Sequence, residues 1–152
     1  MKQTTLCYIE NAGKYLMLLR NKKKNDENSG KWVGIGGKFE EGETPFDCVR
    51  REVLEETGLT LISPKYRGLI TFVSDQYGTE YMHLFTADNY SGELKIDCDE
   101  GELDWVEQSD VTKLRLWEGD RIFLDLLLKE QRFFTVKLIY EGDVLVDHVI
   151  EI

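Results

Sequence analysis

The chain has 152 residues, of which 41% are hydrophobic and 32% charged, enough for one well-buried core and a single domain spanning residues 1–152. Its 19 basic and 29 acidic residues give a formal net charge of -10, which argues against nucleic acid polymers and anionic membranes as partners, but not against a small phosphorylated ligand. Three cysteines without metal-site spacing, no signal peptide and no apolar run of roughly 18 residues predict a cytoplasmic protein that does not cross a membrane.

The first part of the chain alternates strand-like runs with loops. Strands are expected over residues 4–10 and 15–20, and a polar loop is expected over residues 21–31. The segment GKWVGIGGKFEEGE, residues 30–43, follows and is rich in glycine. Glycine permits backbone conformations and close approaches that side chains forbid.

A helix is predicted over residues 45–57 from the residues at its two ends. Thr44 suits the N-cap, Pro45 suits the first helical position and Asp47 favours the positive end of the helix dipole. Gly58 suits the position at which the helix ends.

The rest of the chain contains more strands and a second helix. The expected elements are strands over residues 67–74, 81–88 and 104–107, a helix over residues 120–130, and a hairpin of FFTVKLIY and VLVDHVIEI around the turn EGD. Strands mixed with two helices indicate an α/β sandwich built on a mixed sheet.

Three glutamates, Glu52, Glu55 and Glu56, crowd the end of the first predicted helix. They border the face expected to meet the core, which consists of Phe46, Val49, Val53 and Thr57. Like charges at this spacing, near the negative end of the helix dipole, cost about 1 to 2 kcal/mol, and Arg51 offsets only part of that cost. Carboxylates are the ligands that Mg²⁺ and Mn²⁺ prefer, so the cluster predicts a metal site for phosphate chemistry, with a solvated acidic helix as the alternative.

The spacing around these glutamates carries a resemblance to a known family. After Gly37, five residues precede Glu43 and seven more precede Arg51, where REVLEETGL begins with that arginine. Every defining position of the Nudix box is filled, and the chain therefore resembles the Nudix hydrolases. The resemblance implies a Nudix-type α/β/α sandwich with a mixed sheet, and an enzyme that cleaves a nucleoside diphosphate linked to another group.

The resemblance also implies roles for residues of the box. The three glutamates bind Mg²⁺, with Mn²⁺ as an alternative, and the backbone carbonyl of Gly36 is a further ligand. Arg51 pairs with Glu43 and holds the loop and helix in register. Either Glu55 or Glu56 orients or deprotonates the attacking water, and the sequence does not decide between them.

Similarity outside the box points to the MutT-type oxidised-purine nucleoside triphosphatases, especially the animal ones. It is carried by GKW.G.GGK, MHLF, LWEGDRIF, LLLKEQRFF and an acidic turn before Trp105. By this resemblance Glu100 in that turn joins the metal cluster, with Asp99 and Glu102 as rivals.

The same resemblance identifies candidate substrate contacts. Trp117 and Asp120 match the aromatic residue and the acid that hold the purine in that group. Phe72 is expected to form a further wall of the purine site. Arg20 and Lys38 match positions on the phosphate side.

Two positions depart from the animal enzymes. Val33 stands where they have an asparagine, and Gly119 stands where they have a second acid. These departures leave 8-oxo selectivity open and affect general purine triphosphate hydrolysis less.

The favoured function is Mg²⁺-dependent hydrolysis of purine nucleoside triphosphates such as 8-oxo-dGTP to monophosphate and pyrophosphate, in nucleotide pool sanitation, by a monomer or homodimer. One alternative is another nucleoside diphosphate-linked substrate, a dinucleoside polyphosphate or a nucleotide sugar, for which Tyr77 is weak support. The other is a noncatalytic module that binds a nucleotide.

Several polar residues are expected to be structural rather than functional. His83 and His148 lie in predicted strands without partner histidines, and Cys48 on the first helix has no base beside it. Lys22 to Lys24 are expected to form part of a solvated loop.

Overall fold

A computed structural model describes residues 1–22, 26–95 and 97–152. In chain order the elements are β1 (Lys2–Asn11), β2 (Lys14–Arg20), β3 (Trp32–Val33), β4 (Ile35–Lys38), α1 (Pro45–Thr57), β5 (Thr60–Leu61), β6 (Lys65–Ser74), β7 (Gly78–Ala87), β8 (Tyr90–Ser91), β9 (Gly101–Glu107), a 3-10 turn (Val111–Lys113), α2 (Glu118–Lys129), β10 (Phe134–Glu141) and β11 (Val144–Glu151). Within these ranges, neither helix combines the length and the apolar character that crossing a membrane requires.

One mixed sheet organises the part of the chain that the structure describes. Nine strands belong to it, in the order β11-β10-β6-β7-β1-β2-β3, with β4 beside β1 and β9 beside β2. The pairs β1 with β7 and β6 with β10 are parallel, whereas β6 and β7 are antiparallel. The long strand β1 therefore joins the two halves of the sheet.

The two helices pack on opposite faces of this sheet. Tyr8 of β1 lies in the apolar cluster that contains Phe123 of α2. Its neighbour Cys7 lies in the other cluster, with Val49 and Val53 of α1. Successive side chains of a strand point to opposite faces, so the architecture is the predicted α/β/α sandwich.

The predicted elements agree with the structure except at some ends and in short strands. Helix α1 has the predicted bounds, α2 begins two residues earlier than predicted and ends one earlier, and β7 begins three residues before the predicted strand. Phe46 was expected in the core, but it is 36% exposed, and its ring packs at steep angles on Tyr66 and Phe85.

The glycine-rich strand β4 was not predicted as a strand. Its pairing with β1 depends on Gly36, because a Cβ at that position would lie 1.9 Å from the carbonyl oxygen of Thr5. Glycine is usually depleted in strands, so local sequence favours a loop at this place.

Candidate functional site

Local sequence explains where helix α1 starts and stops. The Thr44 hydroxyl accepts a hydrogen bond from the Asp47 backbone N–H at 3.1 Å, and the Asp47 carboxylate accepts one from the Thr44 N–H at 3.0 Å. This reciprocal capping box stabilises the first turn. At the other end Gly58 adopts a left-handed conformation, with φ of 80°, which suits glycine. The three glutamates are thereby fixed on the last two turns.

Gly37 leaves room for the Glu52 carboxylate against β4. A Cβ at Gly37 would lie 2.5 Å from the carboxyl carbon of Glu52. The Glu52 carboxylate therefore rests on the backbone of the strand that carries Gly36, the other predicted ligand position.

Arg51 organises the acidic residues on the exposed side of the helix. Its Nε and Nη2 atoms donate to the two carboxylate oxygens of Glu43 at 2.7 and 2.9 Å, so the expected ion pair is present and bidentate. These hydrogen bonds lower the pKa of Glu43 to about 2. The Nη1 atom of Arg51 bonds Glu52 at 2.8 Å and Glu55 at 3.3 Å, and Nη2 also reaches the carbonyl of Lys38 at 3.0 Å.

Glu56 is a buried carboxyl group in an acidic environment. It is 9% exposed, and its Oε2 atom has no hydrogen-bond partner among the described residues. Burial raises its pKa well above the ordinary range, and the hydrogen bond and charge of Glu100 and the charge of Glu52 raise it further. The pKa of Glu52 is also raised, first by burial. Glu55, by contrast, has a side chain that is 58% exposed.

The acidic residues of this cluster offer oxygen donors to a metal ion. Across residues 1–22, 26–95 and 97–152, no three His, Cys, Asp or Glu side chains are arranged to hold a metal ion together. The donors nevertheless suit Mg²⁺, because they are carboxylate oxygens and one buried oxygen of Glu56 lacks a hydrogen-bond donor. A bound cation would also relieve the mutual repulsion that raises the pKa of Glu56.

Glu100 is the acidic residue of its turn that faces the cluster. It pairs with Arg20, whose Nη1 atom lies 3.1 Å from its Oε2 atom, while the Arg20 Nε atom bonds Asp26 at 2.8 Å. The rival residues Asp99 and Glu102 are exposed, and neither lines the cleft described next. Of these three acids, Glu100 alone lines the cleft.

One cleft of about 730 Å³ brings most of the predicted residues together. The predicted site residues that line it are Arg20, Gly36, Lys38, Glu52, Phe72, Glu100, Trp117 and Asp120. Arg51, Glu55 and Glu56 do not line it and lie behind or beside Glu52. The volume is in the range of ordinary small-molecule sites, of roughly 300 to 1,000 Å³.

Trp117 forms an aromatic wall at the end of the cleft opposite the carboxylates. Its indole N–H donates to the Asn28 side chain at 2.8 Å, and the edge of its ring system meets Tyr140, with centroids 5.4 Å apart. The Lys31 ammonium lies 4.2 Å from its ring centroid. These three contacts fix the orientation of the indole plane, which is a requirement for stacking on a base.

Asp120 combines nearly complete burial with a position in the cleft. It is 4% exposed and lies in the first turn of α2. Burial raises its pKa to about 8, Glu80 adds to the rise, and Arg121 and Lys31 oppose it. Asp120 is therefore largely protonated at neutral pH, and can both donate and accept a hydrogen bond.

The raised pKa predicts a pH-dependent stability difference between wild type and Asp120→Asn. Above about pH 4 the unfolded chain ionises this residue while the folded chain keeps its proton, so its contribution to stability declines until the pH passes about 8. The asparagine variant should gain in unfolding free energy relative to wild type as pH rises, on the order of 1 kcal/mol per pH unit. Urea titrations at pH 5, 7 and 9 check this, and a difference that is constant with pH would contradict it.

A side chain at Gly119, the position that the resemblance matches to the second acid of the animal enzymes, would press on two buried neighbours. A Cβ at Gly119 would lie 2.5 Å from a methyl group of Leu138 and 2.7 Å from the hydroxyl of Tyr140. The Gly119 N–H also donates to that hydroxyl at 2.8 Å. Val33, the other departure, is buried in the cleft wall, so an apolar side chain occupies the position of the asparagine.

Strands β1 and β7 bring three polar residues to the cleft that were not predicted from the sequence, namely Lys2, Thr4 and Glu80. Only the register of these strands reveals them, because they lie far apart in the chain. Tyr77, the weak support for a dinucleoside polyphosphate, also lines the cleft.

Of the residues expected to be structural, His83 and Cys48 have structural contacts, whereas His148 is exposed on β11. His83 lies between the Tyr66 hydroxyl and the Gln3 side chain, and burial lowers its pKa. Cys48 is buried against the Thr5 hydroxyl at 3.3 Å. Lys22 donates to the carbonyl of Cys98 at 2.8 Å, whereas Lys23 and Lys24 lie outside the described residues.

Comparisons with known proteins give consistent matches. The NUDIX domain model matches residues 2–127. An oxidised purine nucleoside triphosphate hydrolase of Danio rerio is 35% identical, over 99% of this chain and 94% of its own length. An uncharacterised Nudix hydrolase of Bacillus subtilis, YvcI, is also 35% identical, over 86% of this chain and 82% of its own. The crystal structure of a mutator MutT protein from Bacillus halodurans superposes with a TM-score of 0.88 at 28% identity, covering 99% of this chain and 98% of that one.

Proposed function

Because this chain belongs to the Nudix hydrolase family, we propose that it converts purine nucleoside triphosphates to monophosphate and pyrophosphate, with oxidised purines such as that of 8-oxo-dGTP favoured. We propose that Mg²⁺ supports the reaction, with Mn²⁺ as an alternative. The three free cysteines suit a reducing compartment, and the cytoplasm is the proposed location.

The observation that carries this proposal is the composition of the cleft. Its carboxylate end, beside β4, contains Glu52 and Glu100, and its other end, beside Tyr140 of β10, contains Trp117 and Asp120. One end suits a cation that holds phosphates, and the other offers an aromatic face with a carboxyl group beside it, which suits a purine. A purine nucleoside triphosphate combines the phosphates and the purine in one molecule.

Carboxyl groups of α1 and of the turn before β9 would hold the metal together. Glu52, Glu56 and Glu100 are mutually close enough to raise the pKa of Glu56, and Glu55 lies next to them. The chemistry that bound Mg²⁺ supplies is polarisation of the phosphoryl oxygens and a lowered pKa of the attacking water. Glu55 or Glu56 orients or deprotonates that water.

Two basic residues that line the cleft, Arg20 and Lys38, would bind the phosphates. Arg20 is already held by Glu100 and Asp26, which keeps its guanidinium at the cleft instead of in solvent. Lys38 follows the two glycines of β4 and has an exposed side chain. The Nη1 atom of Arg51 donates hydrogen bonds to Glu52 and Glu55. Arg51 would therefore contribute to the reaction by positioning these two carboxylates.

Metal binding predicts a stability increase that depends on Glu52. Mg²⁺ at roughly 100-fold above its Kd should stabilise the protein by about 2.7 kcal/mol, or raise Tm by about 5 to 10 °C. Glu52→Gln should blunt this rise, because it removes a ligand that Gly37 allows against β4. Thermal unfolding of both proteins with Mg²⁺ and with EDTA measures it, and an equal rise in the variant would count against the metal site.

Substrate choice is tested by turnover on a panel with all products resolved. The panel contains 8-oxo-dGTP, 2-hydroxy-dATP, dGTP, ADP-ribose and diadenosine tetraphosphate, with Glu55→Gln as the inactive control. We expect the highest kcat/KM for an oxidised purine triphosphate, with monophosphate and pyrophosphate as products.

Other outcomes of the panel support the alternatives. Release of a nucleoside triphosphate from diadenosine tetraphosphate as the preferred reaction would support a dinucleoside polyphosphate substrate, with Tyr77 in the cleft as its contact. Tight nucleotide binding without turnover of any substrate would support a noncatalytic module.

A further inference from the structure

Glu80 lines the cleft next to Phe72, in the part of the cleft where the purine is proposed to bind. On β7, it pairs with Phe72 of β6 on one side and with Lys2 of β1 on the other. Paired residues share a face of the sheet, so Glu80 lies on the same face as Phe72, and both line the cleft. The next residue of β7 on that face is the buried Met82, so a charge at Glu80 is unusual for its surroundings.

Neighbouring side chains hold this carboxylate in one orientation. The Thr4 hydroxyl donates to its Oε2 atom at 2.7 Å, and the Lys2 ammonium lies 3.6 Å from its Oε1 atom. Lys2 also pairs with Glu27 at 3.4 Å, across the mouth of the cleft. The Glu80 side chain is 23% exposed. A carboxylate accepts about four hydrogen bonds, so these two contacts leave capacity for a ligand.

Asp120 is a second carboxyl group in the part of the cleft proposed to hold the purine, and its hydrogen-bonding capacity differs from that of Glu80. It lies in the same cleft and is almost completely buried. The charge of Glu80 contributes to the raised pKa of Asp120, so the two carboxyl groups are within electrostatic range. Asp120 offers a donor and an acceptor, whereas Glu80, paired with Lys2, offers acceptors only.

We propose that Glu80 is a specificity residue that accepts hydrogen bonds from two adjacent N–H donors on the edge of a guanine-type purine held beside Trp117. This rests on the proposed function, in that a purine occupies this end of the cleft. Glu80 thereby supplies a second carboxyl group in the cleft, where α2 has glycine at position 119 next to Asp120.

The chemistry of purine edges explains why such a residue discriminates. Guanine presents an N1–H and a 2-amino group side by side, which match the two oxygens of a carboxylate. Hypoxanthine keeps the N1–H but lacks the amino group, and adenine presents an unprotonated N1 that repels a carboxylate. A buried site built to hydrogen-bond a group rejects analogues that lack it.

The test measures binding of products without metal, so that it does not depend on hydrolysis. Calorimetry with EDTA compares dGMP, dIMP and dAMP on wild type, Glu80→Gln and Thr4→Val. The matched control is Glu107→Gln, an exposed strand glutamate paired with Lys14 at 4.0 Å. Thermal unfolding of each variant checks that the fold is retained.

Wild type should bind dGMP more tightly than dIMP, and dIMP more tightly than dAMP. Glu80→Gln should weaken dGMP binding about tenfold or more, since hydrogen bonds to charged groups contribute roughly 1.5 to 3 kcal/mol and 1.4 kcal/mol is tenfold. It should weaken dIMP less and leave dAMP equal or tighter, because an amide can donate to N1. Thr4→Val should show a smaller loss of the same kind, and Glu107→Gln none.

Equal losses for all three nucleotides, an unchanged preference for guanine, or no purine binding by wild type would each overturn the role of Glu80. The proposed hydrolysis is assayed separately and can stand or fall on its own. Turnover with unchanged base preference in Glu80→Gln rejects only the specificity role. Guanine preference that requires Glu80, without turnover, supports that role and rejects the hydrolysis.

Discussion

Glu56→Gln is expected to lower kcat on 8-oxo-dGTP by about 10²- to 10⁴-fold. The physical reason is that the Glu56 carboxyl is buried beside Glu52 and Glu100, with one oxygen that no described donor satisfies. Whether it holds the metal or moves the proton of water, an amide cannot replace it, because an amide offers one weak oxygen ligand and takes up no proton. Steady-state kinetics in Mg²⁺ measures the loss.

Stability separates this loss from unfolding. Removing a carboxyl whose pKa is raised by burial and by its acidic neighbours should leave Tm in EDTA equal or higher at neutral pH, since the folded protein no longer has to keep that group protonated. Asp125→Asn, which changes an exposed helical acid paired with Lys129, is the matched control and should retain full activity. Intact turnover in Glu56→Gln would show that its assigned role is wrong.

Trp117→Ala is expected to lower kcat/KM for purine triphosphates by about 10- to 100-fold, mainly through KM. Stacking of a base on an aromatic side chain is worth roughly 1 to 3 kcal/mol, and 1.4 kcal/mol is tenfold. The indole is held in one orientation by Asn28, Lys31 and Tyr140, so little ordering remains to be done when a base binds.

Trp117→Phe is the matched variant, since it keeps an aromatic face but loses the hydrogen bond to Asn28. It should recover much of the loss in kcat/KM. Inhibition by pyrophosphate, which has no base, should be the same in all three proteins. If alanine at position 117 leaves KM for 8-oxo-dGTP unchanged, the base does not lie against this wall.

Local sequence was sufficient to predict the helix that carries the acidic residues. Thr44 and Asp47 form the capping box and Gly58 takes the left-handed conformation, and each effect acts within a few residues. The excess of carboxylates where the helix dipole disfavours them was visible in the same way. The resemblance to the Nudix box added the pairing of Arg51 with Glu43, which the structure contains.

Features that depend on long-range pairing could not be predicted. Glu80 reaches the cleft because β7 lies between β6 and β1, and no local pattern encodes that register. Strand β4 forms because Gly36 can approach the Thr5 carbonyl, although glycine locally favours a loop. The burial of Glu56, compared with the exposure of Glu55, likewise follows from the packing of α1 on the sheet, whereas a helical wheel placed both on one border.

This cleft is proposed to cleave a purine nucleoside triphosphate between the α- and β-phosphates with the help of a divalent metal. The most direct measurement incubates wild type and Glu56→Gln with 8-oxo-dGTP, in Mg²⁺ and in EDTA, and quantifies every phosphorus-containing product. We predict equal amounts of 8-oxo-dGMP and pyrophosphate from wild type in Mg²⁺ and almost none from the other three samples. Release of inorganic phosphate with 8-oxo-dGDP, or equal turnover in EDTA, would contradict the claim.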